Sequence, residues 1–388
     1  MNPRYFKILE LDKILARLAA QCAFSASDHL ARDLQPSTHP DEIAQRQAET
    51  SEARALLDAQ PEISIGGARD IRALAQNARV GARLTPPEFL EIRQTIFAAR
   101  TLRRSLVKLE THYPRLSARA FALAEFKELG DAITRAINER GEVADNASSE
   151  LARIRRDLNA TRSRLMDKLQ RMLTSSTYAK LIQEPIITQR EGRYVIPIRA
   201  EAKGKLQGIV HDTSASGATM FIEPLAVVEQ GNHVRELERA EQREIERILR
   251  ELTALVAVHA DALDTNVETL AEIDLAFAKA KYSTEMRAVE PQFIVLSPES
   301  KVQRPNIGHW TLDLGLVDAR HPLLDPDQVV PISISLGKDF SILIITGPNT
   351  GGKTVTLKTV GLFALMAQCG LHVPAKTARL PIFDGIFA

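Results

Sequence analysis

An unbroken apolar run, Ile342-Leu343-Ile344-Ile345, leads into Gly347-Pro348-Asn349-Thr350-Gly351-Gly352-Lys353-Thr354, and this junction constrains the fold more than any other stretch of the chain. The eight residues fit G-x-x-x-x-G-K-[ST], the pattern of a loop that wraps phosphate. Its glycines let main-chain N–H groups approach phosphate oxygens with no Cβ in the way. A helix from about Lys353 to Cys369 would aim the positive end of its dipole at the same anion. Gly370 follows where a helix cap belongs. Lys353 is placed to reach the β- and γ-phosphates, and the Thr354 hydroxyl to ligate Mg²⁺. The sequence therefore predicts a buried parallel strand at 342–345 and a site for ATP with Mg²⁺ at 347–354.

Hydrolysis in such a site also needs a second strand ending in an acidic residue. Nothing after Thr354 reads as four apolar residues followed by Asp-Glu, and Asp384 sits in Ile382-Phe383-Asp384-Gly385, which looks like a turn. No catalytic residue is identifiable. The expectation is a phosphate cradle without its carboxylate, in a chain that stops before that domain is complete. Too few strands would leave a parallel sheet with unpaired edges, so the segment after about 325 is expected to be poorly stable alone.

Ahead of the loop the pattern is mainly helical. Leu11, Ile14, Leu15 and Leu18 fall at helical spacing, and Thr85-Pro86-Pro87-Glu88 carries the signs of a capping box. Leu151, Ile154, Leu158 and Leu165 continue as a heptad-like row, with Leu169 and Met172 slightly out of register, which predicts one long helix. Residues 185–223 are rich in β-formers, with short strands expected at Ile186–Thr188, Tyr194–Ile198 and Met220–Ile222 and a turn at Ser214-Ala215-Ser216-Gly217. Helix returns after Pro224. Two architectures fit: a stalk of two helices with a β-rich tip, or an α+β domain without a stalk. Pro291, Pro298 and Pro305 mark a linker, and Ile332, Ile334 and Leu336 alternate like a strand beyond it. The boundaries expected are 1–145, 146–180, 181–224, 225–290 and 291–388.

Net charge is +1, so any contact with nucleic acid must come from a local patch. Between 190 and 205, Arg190, Arg193, Arg199, Lys203 and Lys205 stand against Glu191 and Glu201 alone. A tip gripping phosphates would carry such a patch, and so would a solvated hairpin. Tyr194 and Phe221 suit core packing better than base stacking. His211-Asp212 reads as turn chemistry with Thr213 and Ser214, because strand neighbours point to opposite faces. His321 beside Pro322 is a structural residue or an adenine-side contact. Two distant cysteines, Cys22 and Cys369, form neither a disulfide framework nor a metal site. With no signal peptide and no membrane-length apolar window, the expectation is a cytoplasmic protein.

The residues around the loop resemble the MutS family. Gly347-Pro348-Asn349 with Gly351-Gly352-Lys353-Thr354, Asp318-Ala319-Arg320-His321-Pro322-Leu323-Leu324 and Leu371-His372-Val373-Pro374-Ala375 are similar to its ATPase segments. Gly208-Ile209-Val210-His211-Asp212-Thr213-Ser214-Ala215-Ser216-Gly217-Ala218-Thr219, Phe221-Ile222-Glu223-Pro224 and Gly141-Glu142-Val143-Ala144-Asp145-Asn146-Ala147-Ser148 resemble the MutS-II subfamily. The resemblance implies a helical core (1–145), a lever helix (146–180), a β-rich clamp-like insert (181–224), a returning lever helix and core (225–290) and an incomplete P-loop ATPase domain (291–388). The fold class is then mainly α with a β-rich insert on long helices, followed by a partial α/β domain.

It also implies a homodimer that embraces nucleic acid and couples ATP to opening and closing. The targets implied are branched DNA, in suppressing recombination, or collided ribosomes and their rRNA. Nuclease activity would lie in a C-terminal Smr domain outside these residues. Phe126-Lys127-Glu128 matches the letters of the Phe-x-Glu mismatch wedge but lies in a helical stretch, so mismatch recognition is not expected. A structural-maintenance ATPase would place its loop before the stalk rather than after it. A non-enzymatic nucleic-acid-binding module with a degenerate ATP site stays open.

Overall fold

The computed structural model describes residues 3–293, 313–325, 327–337, 340, 342–347 and 352–388. The chain opens with α1 (Pro3–Ile8), α2 (Leu11–Ala19), α3 (Ser25–Arg32), α4 (Pro40–Ala59) and α5 (Arg72–Arg79). Next come α6 (Pro86–Val107), α7 (Pro114–Phe121), α8 (Lys127–Ala136) and the long α9 (Ser149–Thr174). Strands β1 (Thr188–Arg190), β2 (Arg193–Arg199), β3 (Gly208–Thr213) and β4 (Thr219–Pro224) precede α10 (Leu225–Val258) and α11 (Ala260–Glu285). The last elements are β5 (Gln292–Phe293), β6 (Leu314–Ala319), β7 (Ile332–Leu336), α12 (Lys353–Gln368) and β8 (Thr377–Leu380). The fold is mainly α with two small sheets. It divides into two compact units: Met1–Gln76, Glu91–Gly130 and His259–Ala388; and Asn77–Leu90 with Asp131–Val258.

In the second unit α9 and α10 run antiparallel. Ser148 meets Glu244, Arg155 meets Glu241 and Arg162 meets Glu238, so one number rises as the other falls. Ser148 caps α9 by accepting from Leu151 N at 3.0 Å. The buried row is Leu151, Ile154, Leu158, Thr161, Leu165, Leu169 and Leu173. Its steps lengthen to four residues after Thr161, so Leu173 and not Met172 continues it, as an unsupercoiled 3.6-residue helix requires. The sheet, in order β1-β2-β4-β3, is antiparallel throughout and packs on Leu165, Leu169 and Leu173 of α9 and Val227 and Val234 of α10. The β1–β2 turn is Glu191-Gly192, both with positive φ (49° and 72°), the two-residue hairpin geometry that fixes register. Strand β1 therefore begins at Thr188, two residues later than the sequence suggests. Glu88 reaches back to Thr85 N at 2.6 Å, as the capping box at the start of α6 predicts.

In the first unit the first half of α11 shows solvent a polar face of Asp261, Thr265, Glu268 and Glu272, while most of Ile273–Ala280 is buried. Two of its buried polar groups fix neighbouring main chain. Asn266 clips both main-chain groups of Ala124 (2.8 and 2.9 Å), and Asp274 accepts from Ala23 N at 2.7 Å just ahead of α3. The small sheet, order β5-β8-β6-β7, joins α2, Tyr282 of α11 and the buried half of α12 in one core that includes Leu11, Ile14, Leu18, Leu316, Phe363, Met366 and Leu380. Along β7, Ile332, Ile334 and Leu336 turn inward while Ser333 and Ser335 face out.

One sequence expectation needs correction here. Residues 342–345 do not form a buried parallel strand; among the described residues no strand pairs with them, and Ile342 and Ile344 are 76% and 79% exposed. An apolar run becomes a central strand only when neighbours satisfy its main chain on both sides. Farther along, Leu362–Ala375 is buried throughout. The linker expected around 288–311 falls largely on residues outside the described set.

His372 shows how that buried segment is fixed. Ser51 gives its one hydroxyl proton to Glu290 (2.6 Å), so His372 Nε2–H donates to Ser51 (3.0 Å). His372 Nδ1 then accepts from Ser283 (2.7 Å), which accepts from Arg54 (3.0 Å). Burial, reinforced by the Arg54 and Lys279 cations, pushes His372 down from 6.5 to about 4. The folded chain resists the proton that the unfolded chain takes up below pH 6.5, so this stability is present above 6.5 and is lost as pH falls toward 4. We expect stability at pH 5 to be about 2 kcal/mol below that at pH 7.5, a difference that urea titrations should find much reduced in His372→Gln.

Candidate phosphate site and basic surface

The first candidate site is the N-terminal end of α12. Gly347 (φ 136°) and Gly352 (φ 77°) bracket the loop, and Gly352 is the N-cap of α12. Pro348, Asn349, Thr350 and Gly351 lie outside the described residues. The Lys353 ammonium reaches back across the loop to the carbonyl of Gly347. The first-turn N–H groups of α12 have no partner within the helix by construction, and an added Cβ on Gly352 would meet nothing within 4 Å. Thr354 is exposed beside them. This end offers oriented donors, a half-buried cation and open space, which is the chemistry a polyphosphate requires, with the exposed Thr354 beside it. Asp384 is exposed at a bend.

One side of this end is braced. Lys358 donates to Glu10 at 3.1 Å; side-chain hydrogen bonds from Lys13 and then Lys358 hold the Glu10 carboxyl down at about 2. His321 is buried, its Nδ1 accepting from Leu323 N at 3.3 Å, and burial lowers its pKa. Arg17 donates to Pro322 O at 2.8 Å. His321 is thus occupied structurally, the first of the two roles its sequence left open. Phe126 stands just before α8 with a left-handed φ of 42°, and its ring packs edge-on against His259, 5.6 Å between centroids.

The second candidate is the basic segment of the β-rich unit. Its five cations separate into two groups. Arg190 lies over the Phe221 ring (4.1 Å to the centroid) and donates to Asp212 at 3.0 Å. Arg193 donates to Glu223 at 3.3 Å, and His211 Nε2 meets the other oxygen of that carboxylate at 2.8 Å. Glu223 is 1% exposed, so this arrangement joins β2, β3 and β4 around one buried charge. Helix α10 approaches it at Gly231, where an added Cβ would lie 2.6 Å from Glu223 Oε1.

Arg199, Lys203 and Lys205 are exposed instead. A residue the sequence did not indicate joins them. Arg199 N donates to Leu181 O at 3.0 Å and Gln183 N to Pro197 O at 2.9 Å, which sets exposed Lys180 beside Arg199. Residues 175–183 carry no strand alternation, so nothing local signals that pairing. The turn at 214–217 lies next to this segment through Ala200 N→Ala218 O at 3.0 Å, and it is held by Thr219 N→Ser214 Oγ at 3.1 Å. His211 and Asp212 have different partners, Glu223 and Arg190, and a register shift between Val210 and Asp212 interrupts the strand alternation expected from the sequence. The half-buried Tyr194 packs against the core and Phe221 is covered by Arg190, so neither ring is presented for stacking.

Among the described residues no helix is long and apolar enough to cross a membrane. The family model described as MutS domain V matches residues 343–388. Proteins named Endonuclease MutS2 match the whole chain. The one from Geobacillus sp. (strain WCH70) is 44% identical over 392 residues, which is 100% of this chain and 48% of that protein. The one from Thermomicrobium roseum is 45% identical over 391 residues, 100% and 49% respectively. The one from Symbiobacterium thermophilum is 43% identical over 388 residues, 100% and 47%. The chain spans about half the length of the curated relatives it matches.

Proposed function

Because this chain belongs to the MutS family, we propose that it is the nucleotide-binding part of an ATP-dependent nucleic-acid-binding protein of the MutS-II type. The observation that carries this reading is the presence, on one chain, of a phosphate-ready helix end at Lys353 and an exposed cation cluster at Lys180, Arg199, Lys203 and Lys205. In this reading residues 146–180 and 225–290 supply lever helices, 181–224 a clamp-like tip, 1–145 a helical core and 291–388 the ATPase portion. The amides of 347–354 and Lys353 bind the ATP phosphates, and the Thr354 hydroxyl ligates Mg²⁺. Bound ATP supplies the energy that opens and closes the tip in a cytoplasmic homodimer. The target is branched DNA, in suppressing recombination, or the rRNA of collided ribosomes. Endonuclease activity belongs to residues beyond these.

The tip reads the phosphate backbone, so its affinity should depend steeply on salt. Replacing Lys180, Arg199, Lys203 and Lys205 together with Ala is expected to flatten the slope of log K against log salt by about 3 for a duplex. Anisotropy titrations with a four-way DNA junction and with an rRNA fragment measure it and rank the two targets. An unchanged slope on both removes the tip from the interface. A second reading, a nucleic-acid-binding module with an inactive ATP site, is favoured by one observation: the unpaired run at 342–345 next to the loop.

A further inference from the structure

The opposite end of α12 shows an unusual concentration of side-chain donors. Cys369 ends the helix and Gly370 (φ 79°) closes it, with Gly370 N→Ala367 O at 3.0 Å and Leu371 N→Met366 O at 2.9 Å. Helix ends usually leave carbonyls to water. Here each carbonyl from Ala367 to Leu371 accepts a bond from elsewhere in the same unit. Gln47 of α4 donates to Ala367 O (2.8 Å) and Leu371 O (3.0 Å). Ser37 N donates to Gln368 O at 3.1 Å. Lys279 of α11 donates to Cys369 O at 3.0 Å, and Thr50 of α4 lies 2.7 Å from Gly370 O. Gln47, Thr50 and Lys279 are 2%, 0% and 6% exposed. The Gln368 side chain adds bonds to Ser37 O (2.6 Å) and Phe383 O (3.0 Å).

A buried donor that loses its acceptor has no water to replace it, so these bonds resist any sliding of α12 along its axis. Lys279 adds a buried cation at the negative end of the helix dipole. The helix has 16 residues, so the grip acts about 24 Å from the phosphate end at 1.5 Å per residue. That end, by contrast, is open: Val355 and Leu357 are exposed, and among the described residues 342–345 have no strand partner. The position of the phosphate-facing amides is therefore set by the far end of the helix together with the Lys358–Glu10 contact near its start.

We propose that Gln47, Thr50 and Lys279 are positioning residues for the nucleotide site, holding the phosphate-binding helix in place and tying phosphate occupancy to α4 and α11. This rests on the reading of 347–354 as a nucleotide site. Occupancy at the first turn orders the helix, and the bonds at its last turn pass that order to α4 and α11.

The test compares MgATP affinity and amide hydrogen exchange in the full chain and in Thr50→Val, Thr50→Ser and Gln47→Met. Val keeps the shape of Thr and removes the hydroxyl, whereas Ser keeps the hydroxyl and removes the methyl group. A packing role is therefore disturbed by Ser, and a hydrogen-bonding role by Val. We expect Thr50→Val and Gln47→Met to bind MgATP about five- to tenfold more weakly at a temperature where circular dichroism shows them folded, with Thr50→Ser close to the unsubstituted chain. In the unsubstituted chain MgATP should slow exchange in α4 and α11 as well as in α12, and Thr50→Val should confine that slowing to α12. Unchanged affinity in Thr50→Val and Gln47→Met, or MgATP protection limited to α12 in the unsubstituted chain, overturns the proposal even if a variant fails to fold. If the unsubstituted chain binds no MgATP, the nucleotide reading itself falls and takes this inference with it.

Discussion

Lys353→Ala is expected to weaken MgATP binding by at least about thirtyfold. The ammonium already lies at the mouth of the loop, bonded to Gly347 O, and needs only to exchange that carbonyl for a phosphate oxygen. Removing one partner of a charged hydrogen bond in a binding site costs roughly 2–5 kcal/mol. Each 1.4 kcal/mol is a factor of ten in affinity. Calorimetric titration of MgATP into both chains measures it. Folding should not change, because Lys353 belongs to the half of α12 that leaves the core. Equal affinities would remove 347–354 from the site. The same samples test turnover: binding without hydrolysis fits a cradle that lacks its carboxylate, and hydrolysis lost with Lys353 would mean that an acidic residue of this chain completes the site.

Gly370→Ala should destabilise the unit that contains it by about 4 kcal/mol. Two penalties coincide. The residue holds φ at 79°, the left-handed region that costs an L side chain roughly 1–2 kcal/mol. The new Cβ would also lie 2.5 Å from Arg46 Cβ and 3.1 Å from Arg46 C, so a methyl group meets the main chain of α4. Overpacking of that kind typically costs 1–3 kcal/mol, and here it would also pull apart the bonds from Gln47 and Thr50. Gly217→Ala is the matched control. Its φ is 72°, but a Cβ there meets nothing within 4 Å, so only the backbone penalty of about 1 kcal/mol remains. Urea midpoints for the two variants separate the terms, and equal losses would show that the contact with α4 contributes nothing.

The sequence was most legible where a signal and its partner lie within a few residues. The Thr85/Glu88 cap, the start of α12 at Lys353, the closure at Gly370 and the apolar row of α9 are all of that kind. The edge strand β3 was missed as a strand because it opens on Gly208 and exposes Ile209 and Val210, so its alternation is weak. Strand β1 was placed two residues early because the positive-φ turn at Glu191-Gly192, and not the apolar Ile186-Ile187, sets its register. The basic segment could be found but not sorted: its two internally paired arginines look the same in sequence as the three exposed cations.

The sequence by itself determined the glycine-rich loop that reads as a phosphate site, the helix behind it and the β-rich insert between long helices, because each is written in local spacing and local hydrogen bonds. Only the tertiary structure decided which charges are available. Asp212 and Glu223, from other strands, take up Arg190 and Arg193, while the pairing of 181–183 with 197–199 brings Lys180 to Arg199. It also decided that Ile342, Leu343 and Ile344 stay exposed, since an apolar run becomes a strand only when neighbours distant in sequence bond its edges. And it decided that the C-terminal end of α12 is held by Gln47, Thr50 and Lys279, residues of ordinary sequence context that are buried against carbonyls hundreds of positions away for α4 and ninety for Lys279.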